Sequence, residues 1–225
     1  MEINAPALWI NETFAEFDEA VTQSVHWLHT VGGEFFTPFF EGISVLGKGG
    51  IFLIILSLAL MLYRPTRRFG TSMLIGIAIG FLITNLILKV QIARPRPYTD
   101  PDSVFYKLWL TVNQHTESDK SFPSGHTTVA FASMTPVFIL GGPRAKISAL
   151  LFAILMGISR IYLVVHYPSD VITGMLVGIF AGCVAVLIAR KLPRKWYQWD
   201  LRKPQPVGKH EINERSAEQI DVSLK

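Results

Sequence analysis

The sequence predicts an all-α protein: a polytopic transmembrane helical bundle of five core spans, preceded by amphipathic helices. Three observations carry that prediction. Half of the 225 residues are hydrophobic and only 17% are charged, against about 25% charged in a soluble domain; mean hydropathy is +0.35. Five apolar runs reach or approach the length that a bilayer core of roughly 30 Å demands of a helix. Basic residues gather at the ends of those runs. This composition excludes a disordered chain, a collagen-like repeat and an ordinary cytosolic enzyme. The net charge of +4 fits a membrane surface rather than nucleic acid, because of where Lys and Arg fall. A lone cysteine, Cys183, sits inside an apolar run, so neither an intrachain disulfide nor a thiolate metal cluster is expected.

In chain order, residues 1–47 contain no Lys or Arg but carry Glu2, Glu12, Glu16, Asp18, Glu19, Glu34 and Glu41. The basic start and apolar centre of a signal peptide are missing. Residues 12–30 and 34–46 read as amphipathic helices lying at the membrane interface; alternatively, the second is half of a sixth span beginning near Val21. The five spans follow at 50–63 (lengthened by 46–49), 72–90, 127–140, 147–165 and 171–189. The third contains Pro136, which membrane helices tolerate. The fourth carries Arg160 in its last turns, an expensive position that by default faces the protein interior. The resulting organisation is an N-terminal acidic segment over 1–48, a membrane core over 49–191 and a polar cytoplasmic tail over 192–225.

The connections assign sides. Arg64, Arg67 and Arg68 separate spans one and two; Arg144 and Lys146 separate three and four; Arg190, Lys191, Arg194 and Lys195 follow span five. Alternation puts all three places on one face, which the positive-inside rule makes cytoplasmic. The acidic N-terminal segment, the long loop over 91–122 and the short link over 166–170 then lie outside.

Three polar clusters flank that outer face: Lys89 with Arg94-Pro95-Arg96-Pro97, then Pro123-Ser124-Gly125-His126, then Ser159-Arg160 with His166 and Asp170. Lys89, Arg96 and Arg160 are fixed cations in a partly dry place and need anionic compensation. Asp170 is the only carboxylate within these clusters, so the missing negative charge is expected from a ligand. Arginine suits bidentate contact with phosphate. Ser124 is a good N-cap residue and Gly125 lets backbone come close, so the opening of span three forms a helix-terminus anion site. Asp170 lies one turn beyond His166, with Pro168 at the first helical position, where its carboxylate can fix the imidazole tautomer. His126 is placed to donate a proton. One histidine attacking phosphorus while another protonates the leaving oxygen gives hydrolysis through a phosphohistidine.

Plainer readings compete. Lys89 and Arg94 could be interfacial anchors, and Arg160 could pair with Asp170 purely as structure. Two histidines and an aspartate could hold zinc, although the surrounding cations would repel a divalent metal. His26, His29, His115 and His210 have no comparable company and read as interfacial or solvent-exposed. Asn11-Glu12-Thr13 matches a glycosylation sequon, a pattern frequent by chance.

The spacing Lys89-x6-Arg96-Pro97, Pro123-Ser124-Gly125-His126 and Ser159-Arg160-x5-His166-x3-Asp170 resembles the three-part signature of the type-2 phosphatidic acid phosphatase superfamily, over about residues 46–190. The resemblance implies a helical bundle with a metal-independent, cofactor-free lipid phosphatase site facing outward. It implies His166 as nucleophile, Asp170 as its partner and His126 as general acid, with Lys89, Arg96, Arg160, Ser124 and Gly125 holding phosphate. Arg94 falls inside the first spacer and receives no role. Many bacterial members begin with an extra membrane helix, which an acidic segment replaces here. The same signature occurs in soluble acid phosphatases and vanadium haloperoxidases; the apolar spans exclude soluble members and make hydrolysis the better reading than oxidation. The expected substrate is a lipid phosphate or diphosphate at the outer face of the cytoplasmic membrane, undecaprenyl diphosphate first. Phosphatidylglycerol phosphate, phosphatidic acid and diacylglycerol pyrophosphate stay open, as does a carrier that binds such lipids without cleaving them. The bilayer is the expected partner; neither nucleic acid nor an obligate protein partner is.

Overall fold

A computed structural model describes residues 3–198. Those residues form helices and connecting turns, with no strand among them. The order is α1 (Ala5–Gly47), α2 (Ile51–Leu62), α3 (Arg67–Phe81), a π-helical stretch (Leu82–Leu88), α4 (Lys89–Ile92), α5 (Val104–Trp109), α6 (Gly125–Leu140), α7 (Pro143–Tyr162), α8 (Pro168–Lys191) and α9 (Arg194–Gln198). Four helical stretches are long and apolar enough to cross a bilayer: Ala5–Leu62, Arg67–Thr99, Pro143–Tyr162 and Pro168–Lys191. At 16 residues, α6 is a shorter apolar helix. The polar tail expected past residue 198, with His210, lies outside the described residues.

Helix α6 is the centre of the bundle, packed against α3, α7 and α8. Residues 127–134 are all buried, as befits a helix enclosed on every side. Small residues permit the close approach. A Cβ on Gly76 of α3 would stand 2.4 Å from the Ala132 carbonyl, and one on Gly174 of α8 2.7 Å from the Ser124 carbonyl, so larger side chains would force the helices apart. Leu53, Met73, Ile77, Val129, Phe131, Met134, Ala149 and Ala153 fill the space between. Outward, α2 exposes Ile51, Phe52, Ile55, Leu58 and Leu62, and α8 exposes Leu176, Phe180 and Leu187. That is an apolar belt suited to lipid contact.

The N-terminal segment forms one helix broken at Gly32 (φ −170°, ψ 45°), close to the boundary expected between two amphipathic helices. It packs against α7 and touches α8 and α2. Thr37 and Tyr162 hydroxyls meet at 2.7 Å, and Phe40 stacks on Tyr162 at 4.7 Å between ring centroids. His26 corrects its sequence reading: it is buried and bonds the Thr111 hydroxyl at 3.2 Å. His115 is half exposed and meets Glu41. At the far end of the bundle, Arg67 donates to the Trp196 carbonyl at 3.2 Å and Arg68 lies over the Tyr197 ring. The α2–α3 link and the chain after α8 therefore share one end, opposite the polar clusters.

Candidate active site

Main-chain bonds first draw the three clusters together. The Ser121 N–H donates to the Arg94 carbonyl at 2.9 Å, and the Ser124 N–H to the Asp170 carbonyl at 3.1 Å. Ser124 caps α6, its side chain accepting from Thr127 N, and Pro168 opens α8 at its first position. A tight turn after α7, with Val164 in the left-handed region (φ 52°), swings His166 inward. A β-branched residue pays about 1–3 kcal/mol for that conformation, which full burial of Val164 among Phe40, Trp109 and Tyr162 offsets.

His166 is 1% exposed. Its Nε2 lies 2.9 Å from a guanidinium nitrogen of Arg96, which also donates to the Val165 carbonyl at 2.8 Å. Its Nδ1 faces Asp170 Oδ2 at 3.5 Å. Burial, then the charges of Arg96, Arg160 and Lys89, press the His166 ring well below its ordinary pKa, so the free imidazole is neutral. Lys89, Arg96, Glu117, Asp119, Gly125, His126 and His166 line one cleft of about 270 Å³ that reaches Phe81, Asn85 and Val129. A second lobe of about 250 Å³ lies beyond His126 and Glu117, walled by Glu41, Ser44, Lys48, His115 and Arg160. Every candidate residue thus gathers at one place, with Ser124 beneath as the helix cap.

Helix α1 ends against this site. A Cβ on Gly47 would come within 2.7 Å of both His126 Cδ2 and Met156 Sδ, so only glycine leaves the His126 ring its room. Ser44 accepts from Arg160.

Three expectations need correction. The cations are not short of carboxylates. Asp119, from the loop before α6, pairs with both Lys89 and Arg96, and Glu117 pairs with Arg160. For Asp119, burial would raise the carboxyl, but Lys89 and Arg96 outweigh it and hold it below the usual carboxylate range. Arg160 does not pair with Asp170. Arg94 does, at 2.7 Å, and it is no interfacial anchor: it is 1% exposed, bonds Asp18 at 2.9 Å, and lies 3.7 Å over the Tyr167 ring. Asn11, the sequon residue, accepts from Arg94 Nε at 2.7 Å. Ser121 also escaped notice. Its hydroxyl donates to Asp170 Oδ2 at 2.5 Å and lies 3.4 Å from His166 Nδ1; standing just before Pro123-Ser124, it offered only its position as a signal.

The PAP2 superfamily model matches residues 51–194, the whole of α2 to α8. The chain belongs to the PAP2 superfamily. It is 25% identical over 153 residues to an undecaprenyl-diphosphatase of Sulfolobus acidocaldarius, covering 68% of this chain and 70% of that protein. It is 34% identical over 122 residues to a lipid A 1-phosphatase of Rhizobium johnstonii, covering 54% of this chain and 48% of that protein. Among solved structures, the PAP2-type phosphatidylglycerolphosphate phosphatase of Bacillus subtilis superposes with a TM-score of 0.60 at 26% identity, over 84% of this chain and 92% of that one. The match with the lipid A phosphatase spans about half of that protein's length. As a PAP2 protein, the chain places its three polar clusters at one end of the helical core, and Asp18, Asn11, Ser44 and Gly47 reach them from outside the matched residues.

Proposed function

We propose that this PAP2 lipid phosphatase removes the terminal phosphate of a membrane lipid phosphate or diphosphate at the outer face of the cytoplasmic membrane, with undecaprenyl diphosphate as its first substrate. The observation that carries the reading is the position of His166 Nε2, 2.9 Å from Arg96, in a cleft shared with Lys89, Gly125 and His126 that extends to Phe81 and Asn85. A phosphoryl group held by Lys89, Arg96, Arg160 and the N–H groups opening α6 would stand against Nε2, its lipid trailing past Phe81.

The neutral ring attacks phosphorus through Nε2. The bond from phosphorus to the lipid-side oxygen breaks, and that oxygen takes a proton from His126, which binds its proton as the anionic substrate enters. Asp170 stabilises the positive charge growing on the ring. Water, deprotonated by His126, then attacks the phosphohistidine; the N–P bond breaks and inorganic phosphate leaves. The three cations stabilise the equatorial oxygens throughout, where most phosphoryl-transfer catalysis resides. The outward orientation is supported by the basic connections at the opposite end of the bundle. The name of the Sulfolobus relative favours a polyprenyl diphosphate; that of the Bacillus structure makes phosphatidylglycerol phosphate the second choice. A non-hydrolytic carrier would need the cations but not the His126, His166 and Asp170 set.

The test is phosphate release from a panel of lipid phosphates by purified protein with chelator present. Hydrolysis that is inhibited by vanadate and abolished in folded His166→Ala is the expected result. Substantial turnover by that variant would overturn the nucleophile assignment, and binding without release would favour the carrier.

A further inference from the structure

We infer that Asp18, on the N-terminal helix, is a positioning residue for phosphoryl transfer: it neutralises Arg94 and so leaves the charge of Asp170 available to His166. The inference rests on the histidine-nucleophile reading above. Arg94 stands between two carboxylates. One guanidinium nitrogen meets Asp170 Oδ1 at 2.7 Å and Ser169 Oγ at 2.8 Å; the other meets Asp18 Oδ2 at 2.9 Å. All three ionic side chains are at most 1% exposed.

Counting charge shows why the second carboxylate matters. Arg94 and Asp170 alone form a neutral pair, and a neutral pair gives little help to an imidazole becoming cationic as its N–P bond forms. With Asp18 the cluster carries one net negative charge, in a buried place where screening is weak. Asp18 touches neither His166 nor the cleft. It is fixed by the Ser169 N–H and hydroxyl, each at 2.7 Å, at the start of α8 where helix peptide dipoles favour a carboxylate. It also lies outside residues 51–194, so the segment before the family core supplies the balancing charge.

The experiment uses the full chain in detergent and compares kcat, KM and pH profiles. His166 is faced by Lys89, Arg96 and Asp119, by Arg160 from α7, by His126 from α6 and by Asp170 from α8, and none of these changes in the variants. Asp18→Asn is expected to lower kcat about tenfold or more, the equivalent of one pKa unit of lost charge stabilisation, with KM within about threefold. Its acid limb moves to lower pH, because the imidazolium has lost a favourable negative charge. The double variant Asp18→Asn/Arg94→Gln restores one net negative charge and recovers several-fold of the lost kcat together with the limb. A mere anchoring role for α1 predicts the opposite, a double variant no faster than the single. An unchanged kcat and limb in Asp18→Asn, or a double variant no faster than Asp18→Asn, overturns the inference. Loss of the nucleophile reading is recognised separately, by activity that persists in His166→Ala.

Discussion

His166 Nδ1 stands 3.5 Å from Asp170 Oδ2, with the Ser121 hydroxyl within reach of both atoms. That separation is long for a strong hydrogen bond, and such contacts tighten when substrate arrives. Asp170 Oδ2 also accepts from the Tyr167 N–H at 3.0 Å, so its orientation does not depend on Ser121 alone. Asp170→Asn should lower kcat by roughly 10³–10⁴, by analogy with the loss of the carboxylate from a serine protease triad. Ser121→Ala should lower it less than about tenfold. Equal losses in the two variants would show that the hydroxyl, not the carboxylate, orients the ring.

Asp119 offers a carboxylate to the same two cations, Lys89 and Arg96, that the proposed mechanism reserves for phosphate. Its side chain is half exposed, so it can yield to a better ligand. Asp119→Asn should therefore tighten inhibition by vanadate and inorganic phosphate, by about three- to tenfold, since tenfold corresponds to only about 1.4 kcal/mol. Weaker inhibition in that variant would mean that the carboxylate organises the cradle instead of competing for it.

The pH dependence follows from His166. Attack needs the unprotonated ring, and burial with neighbouring cations holds its pKa well below the ordinary value. A depressed pKa leaves the nucleophile neutral as pH falls through the usual imidazole range, so the acid limb of kcat/KM should lie below about pH 6.5. A limb at or above that value would contradict the charge environment of the ring.

Gly47 bears on the step after attack. A methyl group there would press on His126 Cδ2 and Met156 Sδ, moving the residue assigned to protonate the leaving oxygen. Gly47→Ala should slow cleavage of lipid phosphates, whose alkoxide leaves poorly, by about tenfold or more, the rate equivalent of about 1.4 kcal/mol. An aryl phosphate with an acidic leaving group needs no such proton and should lose much less. Uniform loss on both substrates would argue for general distortion of the site.

Hydropathy made the core legible because lipid imposes a strong pattern: the expected run at 171–189 lies within Pro168–Lys191 and that at 50–63 around Ile51–Leu62. The site was legible where its residues sit in short, stereotyped spacings. The ion partners were not. Arg94 and Asp18 are 76 positions apart, as are Arg94 and Asp170, and nothing local in the sequence joins them. Asp119 and Glu117 were hidden for another reason: they lie in a loop, where no periodicity says which way a side chain points. Arg94 looked like an anchor because one cation near a helix end usually is one.

The π-helical stretch has a consequence for how this chain tolerates change. The Lys89 N–H closes on the Thr84 carbonyl, five residues back, where an α-helix would close on the fourth. The wider turn houses one surplus residue, and everything beyond it is rotated by about 100°, one residue's angular step. A helical wheel drawn through Arg67–Thr99 therefore misassigns the azimuth of Lys89. Removing a single amino acid from Leu82–Leu88 would restore regular winding and still leave a membrane-length helix, yet it would aim the ammonium toward the acyl chains. Length variation in this stretch is thus silent for insertion but decisive for chemistry.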